Sequence, residues 1–195
     1  TRLQTSFPVN MLALDKGQPK QMGLIEILQA FISFRFEVVT RRTKFLLNKA
    51  RNRSHILAGL MVAITSIDEV IELIKSSPDP DTARNKLCAK PWPALEVQEF
   101  IKLIDDPNHQ IVDNNYNLSI TQAKAILELR LQRLTGMEIN KLEKETKELS
   151  QQINEYLVIL SDKSKLTHQI QIELDEVLKR IDDPRRTEIN DSAVD

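Results

Sequence analysis

Glycine is scarce in this sequence, with four in 195 residues, and that scarcity excludes phosphate-cradling loops of the GxGxxG or GxxxxGK kind. A single cysteine, Cys88, excludes an intramolecular disulfide framework and suits a reducing compartment; its expected role is that of a small buried apolar side chain. The three histidines, His55, His109 and His168, lie far apart along the chain. Each is expected to be a surface or packing residue, and no metal site is expected. No apolar run is long enough to span a bilayer, and no charged-then-apolar leader follows Thr1. The chain therefore reads as soluble, cytoplasmic and without a membrane partner. It starts without Met and directly enters strand-like sequence, so a fragment of a longer protein is expected. A formal net charge of -1 argues against a dedicated nucleic-acid coat, although the 27 basic residues are unevenly placed.

What is present is mostly helical periodicity. "LQTSFPVNMLALDKGQPKQM" carries an apolar strand at Val9 to Leu14 and a turn at Asp15, Lys16 and Gly17, which predicts one β-hairpin over residues 1–23. A lone hairpin is marginal in water, so its sheet is expected to continue upstream. From Leu24 the stripe Leu24, Ile25, Leu28, Phe31, Ile32, Val39, Leu46 and Leu47 runs on into Ile56, Leu60, Ile64, Ile67, Ile71 and Ile74, until Pro78 and Pro80 end it. Whether it is one bent helix or two meeting near residues 52–54, with Ser54 as a cap, stays open. Short helices are expected from Asp81 to Cys88, capped by Asp81, and from Pro93 to Ile104, with a polar surface loop from Asp106 to Asn117. Later, Ile139, Leu142, Thr146, Leu149, Ile153, Tyr156 and Leu160 step by three and four, the pattern of a coiled-coil seam. Ser161 to Lys165 interrupts it, and Ile170, Leu174, Val177 and Ile181 resume it before Pro184.

That last segment would be about 60 Å long if helical throughout, too long for a compact domain of this size. It is expected to project as an arm and to need a partner helix. Residues 35–53 are basic (Arg35, Arg41, Arg42, Lys44, Lys49, Arg51, Arg53), whereas the helix after Gly136 is rich in glutamate (Glu138, Glu143, Glu145, Glu148, Glu155). Their complementarity suggests an antiparallel pair, with a globular tip at its far end. The fold class read from these patterns is mainly α: a long antiparallel coiled-coil arm carrying a small helical dimerisation tip, with a short N-terminal β-hairpin. The expected divisions are 1–23 for the hairpin, 24–53 for the outgoing arm, 54–136 for the tip, 137–183 for the returning arm and 184–195 for a linker.

Catalytic constellations are hard to find. The acid pairs Asp79 with Asp81, Asp105 with Asp106, and Asp182 with Asp183 adjoin prolines and fit turns and caps. Tyr116 lies between two asparagines without a neighbouring cation, and Tyr156 sits in the seam, so neither reads as a nucleophile. In "LELRLQRLTGME" the leucines at 127, 129, 131 and 134 are too many for one stripe. With Ser119 and Gln122 as a capping box, the helix is expected to run to about Leu134 and to bury Ile120, Ala123, Leu127, Leu131 and Leu134 in its own tip. Gln122, Ile126, Leu129 and Arg133 would then form a second face, expected to meet a second copy of the chain about a twofold axis. The alternative is a helix buried all round within one chain. Arg41, Arg42, Lys49 and Arg51 are candidate weak phosphate contacts, set against the plainer expectation of ion pairs with the acidic helix.

Specific strings add to this. "LQTSF", "NMLAL", "EVVTRRT", "KARNRSHILAGL", "SIDEVIELI", "ITQAKAILELRLQRLTGME" and "DDPRRTEI" resemble, in order and from about Leu3 to Ile189, the A subunits of bacterial DNA gyrase, within the type IIA topoisomerases. "RLQRLTG" and "PRRTEI" look more like gyrase than topoisomerase IV. The resemblance implies the end of the tower domain, the paired coiled-coil arms, and the tip that dimerises as the exit gate, followed by a linker towards a DNA-wrapping domain. The sequence departs from the family pattern at Asp182-Asp183 and at Ser161-Asp162-Lys163, which bears on local helix ends. The catalytic tyrosine of such enzymes would lie upstream of Thr1, so the segment alone is expected to be inactive and to hold no cofactor. For the whole enzyme the resemblance implies magnesium and ATP, a B subunit in an A2B2 assembly, and double-stranded DNA transported through the gate during negative supercoiling. The alternatives are the equivalent segment of topoisomerase IV or a non-enzymatic coiled-coil structural or adaptor protein.

Overall fold

Lys16 and Gly17 both take positive φ, 52° and 80°, the two-residue turn that matches the twist of paired strands. In the computed structural model, which describes residues 10–106, 109–129, 136–181, 183–184 and 186–187, this turn joins β1 (Leu12–Asp15) to β2 (Gln18–Gln21). The strands are antiparallel, with Asp15 opposite Gln18 and Leu12 opposite Gln21. The expected strand began at Val9, which lies outside the described residues.

The long apolar stripe forms one helix, α1 (Leu24–Thr65), without a break at 52–54. Ser54 is an interior helical residue, fully buried, and caps nothing. The break falls instead at Ser66, where α2 (Ile67–Lys75) starts. In α3 (Pro80–Ala89) the cap is Asp79 rather than the expected Asp81. Pro80 has no N–H to be satisfied and takes the first helical position, while the Asp79 carboxylate accepts from the Thr82 amide at 2.8 Å and the Thr82 hydroxyl at 2.7 Å.

The helix expected from Pro93 starts later. Trp92 and Pro93 form β3, paired antiparallel with β4 (Asn115–Tyr116), and Trp92 stands opposite Tyr116. The Ala94 amide donates to Asn114 O at 3.1 Å, which continues the pairing and holds the backbone out of a helix. A 3₁₀ turn (Leu95–Val97) then leads into α4 (Gln98–Ile104). The expected surface loop thus ends in a strand with a buried tyrosine. Trp92 is fully buried, and its indole N–H donates to Leu87 O at 2.9 Å, so the polar edge of the ring is satisfied.

The remaining helices are α5 (Ile120–Leu127), α6 (Gly136–Ser161) and α7 (Lys163–Arg180). Asp162 separates the last two and caps α7 by accepting from the Ser164 amide at 3.0 Å, so the interruption expected at Ser161 to Lys165 is present. Helix is therefore the dominant element among the described residues, with the hairpin at the N-terminal side, in keeping with the mainly α reading.

The chain divides into two compact units, residues 1–41 with 161–195, and residues 42–160. In the second unit a core of Leu57, Val62, Val70, Leu87, Trp92 and Tyr116, among others, draws on α1, α2, α3, β3 and β4. A smaller cluster joins Leu47 and Ala50 on α1 to Ile153 on α6, flanked by Leu149, Tyr156 and Leu160 of the expected seam. Arg53 clasps Glu145 beyond it, through Nε to Oε1 at 2.6 Å and Nη2 to Oε2 at 2.9 Å. Ascending positions on α1 therefore meet descending positions on α6, the antiparallel order that charge complementarity suggested. In the first unit, Arg35 on α1 pairs with Glu173 on α7 at 2.7 Å. Along the start of α1, Leu24, Ile25, Leu28, Phe31, Ile32 and Phe34 are exposed.

Candidate functional site

The core of the second unit is organised around a buried polar side chain. Ser119 Oγ accepts from the Gln122 amide at 3.2 Å, and Gln122 Oε1 accepts from the Ser119 amide at 2.8 Å, completing the capping box read from the sequence. Gln122 then reaches further: its Nε2 donates to His55 O at 2.6 Å and to Tyr116 Oη at 2.9 Å. It lies directly over Gly59, one helical turn after His55, where an added Cβ would stand 2.6 Å from Gln122 Cγ. The missing side chain of Gly59 is thus the slot that admits Gln122. Burial raises the Tyr116 phenol, partly offset by the Gln122 bond, and Asp106 raises it further, so this tyrosine is a poor nucleophile.

A second cluster adjoins this one. His55 Nε2 lies 2.7 Å from Ser119 Oγ, and its Nδ1 is 3.5 Å from Asp106 Oδ2. His109 Nδ1 approaches the same oxygen at 3.1 Å, and the two imidazoles meet edge to face with centroids 5.4 Å apart. Burial holds His55 below the ordinary histidine range; Asp106 opposes the shift, and His109 adds to it. Spacing along the chain gave no sign of this cluster, because the fold brings together two histidines that sit in different elements.

The structure places the expected dimer residues differently from the sequence pattern. Gln122 is 0% and Ile126 4% exposed, both inside this chain's own core, so neither has surface to offer a second copy. Leu129 is half-buried against that same core, and Arg133 lies outside the described residues. Conversely Ile120, expected to be buried, is 60% exposed. The helix also ends at Leu127, with Glu128 as its C-terminal cap, so the expected extension to Leu134 is not present as far as Leu129, and Leu131 and Leu134 fall outside the described residues. The inward-facing glutamine rotates the helix relative to a pattern read on apolar residues alone.

Of the candidate phosphate contacts, Arg41 is exposed and bonded to Glu37 on its own helix at 2.6 Å. Arg51 is half-buried, with Nη2 3.4 Å from Asp105 Oδ2. Arg42 and Lys49 are exposed on α1. Elsewhere in the basic run Arg35 pairs with Glu173 on α7 and Arg53 with Glu145, so of these pairs only Arg53 to Glu145 joins the run to the acidic helix α6. Cys88 packs against the core, where burial raises its thiol despite Arg84 nearby, so little of it is thiolate.

Comparison with known proteins bears on what this arrangement serves. The model of the DNA gyrase/topoisomerase IV A-subunit family matches residues 1–175. Among curated relatives, the DNA gyrase A subunit of Rickettsia bellii is 48% identical over 189 residues, covering 97% of this chain and 21% of the relative. The DNA gyrase A subunit of Granulibacter bethesdensis is 46% identical over 196 residues, covering 100% and 21%. That of Pseudomonas aeruginosa is 45% identical over 204 residues, covering 100% and 22%. The chain spans about a fifth of the length of these relatives.

Proposed function

The chain belongs to the DNA gyrase/topoisomerase IV A-subunit family, and we propose from that premise that it is the exit-gate segment of a gyrase A subunit. In this reading the segment holds two subunits together and releases the transported duplex, within an enzyme that negatively supercoils DNA by double-strand passage. The whole enzyme would draw on a B subunit in an A2B2 assembly, on ATP and on magnesium, and would work in the cytoplasm. The observation that carries the proposal is the family match along nearly the whole chain, at 45–49% identity to gyrase A subunits.

The architecture supports it. A gate between identical subunits needs a tip that stays folded while its mate moves away, and residues 42–160 have their own core, closed by Trp92 and Tyr116. The exposed apolar start of α1 suits a segment that is covered by more of a longer protein. Leu129, which keeps some surface, and the exposed Ile120 are the residues of this region proposed for the twofold contact. Membership in the family removes the support for an unrelated coiled-coil adaptor.

The test is sedimentation of the 195-residue chain, whose monomer mass is 22.4 kDa. A dimer at micromolar concentration is expected, weakened by Leu129→Asp with helix content retained, and a monomer would refute the gate reading. The full-length protein, combined with its B partner, ATP and magnesium, should introduce negative supercoils into relaxed plasmid. Relaxation and decatenation without supercoiling would assign topoisomerase IV instead. This segment alone is expected to cleave no DNA.

A further inference from the structure

We propose that His55, Asp106 and His109 form a binding site for a divalent transition-metal ion of the zinc class. Two imidazoles and one carboxylate are a donor set that zinc and its neighbours accept, with a fourth position left to water. The three ligand atoms lie within 4.8 Å of one another. Bonds of about 2.0 Å in tetrahedral geometry separate neighbouring ligand atoms by about 3.3 Å. The observed separations from Asp106 Oδ2, 3.5 Å to His55 Nδ1 and 3.1 Å to His109 Nδ1, bracket that value. His109 sits on the segment after α4 rather than in a helix, so its ring can adjust to the ion.

The surroundings match the same chemistry. A metal-bound histidine is held in place by a partner on its other ring nitrogen. His55 has one in Ser119 Oγ at 2.7 Å, and Ser119 Oγ is itself 2.8 Å from Thr121 Oγ1. With the metal on Nδ1, the Nε2–H donates to Ser119 and the Ser119 hydroxyl donates to Thr121, so every polar atom in this relay keeps a partner. The Asp106 and His109 side chains also line a cavity of about 260 Å³ with Gln98, Lys102, Asp105 and Gln110, which gives an ion a route to the cluster. A bound ion would tie α1, the segment after α4 and, through Ser119, the start of α5 to one point.

The experiment titrates the untagged, metal-stripped 195-residue chain with cobalt(II), then with zinc as competitor, following visible absorption and heat. One equivalent of cobalt with the intense visible bands of a low-coordinate site is expected, displaced stoichiometrically by zinc, together with a zinc-dependent rise in melting temperature. Asp106→Asn, which preserves shape, and His109→Ala, which removes a partly exposed ring, should each weaken binding by at least tenfold. His168→Ala, on the exposed side of α7, should leave it unchanged. Circular dichroism accompanies every variant. Absence of a one-equivalent site in the wild-type chain would overturn the proposal and leave the cluster a hydrogen-bonded His–Asp–His contact. Binding of undiminished strength in both Asp106→Asn and His109→Ala would overturn it as well.

Discussion

Replacing Gly59 by alanine tests the account of the Gln122 slot most directly, because helix propensity and packing pull in opposite directions there. In the interior of an exposed helix the change stabilises by about 1 kcal/mol. At Gly59 the new Cβ would lie 2.6, 2.7 and 2.9 Å from Gln122 Cγ, Cβ and Cδ, against an ordinary contact of 3.4 Å or more. Relief requires Gln122 to withdraw by about 0.8 Å. The closest atoms include its Cβ, which is fixed to the α5 backbone, so a simple rotamer change does not suffice. The same withdrawal stretches the 2.6 Å bond from Nε2 to His55 O beyond useful length. Overpacking costs about 1–3 kcal/mol, and a buried amide deprived of one partner about 1–3 kcal/mol more. After subtracting the helical gain of about 1 kcal/mol, the expected net loss is about 1–5 kcal/mol. Urea unfolding of the 195-residue chain followed by circular dichroism measures it, with Gly136→Ala as control, since nothing lies within 4 Å of a Cβ added there. A Gly59→Ala protein as stable as the wild type would refute the view that Gln122 is locked into this slot.

Four further substitutions have outcomes set by the geometry around them. Ser119→Ala removes both the α5 cap and the oxygen facing His55 Nε2, and should cost about 1–2 kcal/mol in urea unfolding. Ile153→Ala empties a fully buried position in the seam and should cost about 2–4 kcal/mol, whereas Arg53→Met, at a pair with 47% and 36% side-chain exposure, should cost under about 1 kcal/mol. The bonds from Thr82 hold the Asp79 carboxyl below its ordinary value of 3.8, so its contribution is present above that value and is lost as pH falls towards the lower folded value. Asp79→Asn should flatten this part of the acid dependence of stability, and an unchanged acid profile would count against the cap.

How far the sequence disclosed this fold depends on the kind of interaction. The hairpin turn at Lys16-Gly17, the capping box at Ser119 and Gln122, the break at Asp162 and the seam through Ile153 rest on short-range rules, and all four are present. Where a distant partner decides, the pattern misleads. Pro93 looks like a helix start until Asn115 and Tyr116 arrive to pair with its strand. Ile120 looks buried and Gln122 exposed until Gly59 opens a slot for an amide. One signal was available: a lone glycine inside a strong helical pattern carries a propensity cost of about 1 kcal/mol, which implies a compensating close approach. The approaching residue carries no such mark, and neither do two histidines whose proximity is created by the tertiary fold.

The second unit therefore holds together by two different kinds of force. Gln122, Ser119, His55 and Tyr116 form a directional network in which the Gln122 amide donates to His55 O and Tyr116 Oη and accepts from the Ser119 amide and the Tyr116 hydroxyl, so a displacement of this side chain strands buried polar groups. Between α1 and α6 the contact is mostly aliphatic: Leu47 and Ala50 against Ile153, half-buried Leu149, Tyr156 and Leu160 around them, and Arg53 with Glu145 as a partly exposed clasp. Dispersion and burial change gradually as packed helices shift, whereas hydrogen bonds fail within about 0.5 Å of their optimum. Small adjustments of residues 42–160 are accordingly cheaper along the α1–α6 seam than around Gln122. Within residues 42–160 the directional bonds thus gather around Gln122, where a displacement is costly, and the forgiving contacts line the α1–α6 seam, where packed helices can slide by small amounts.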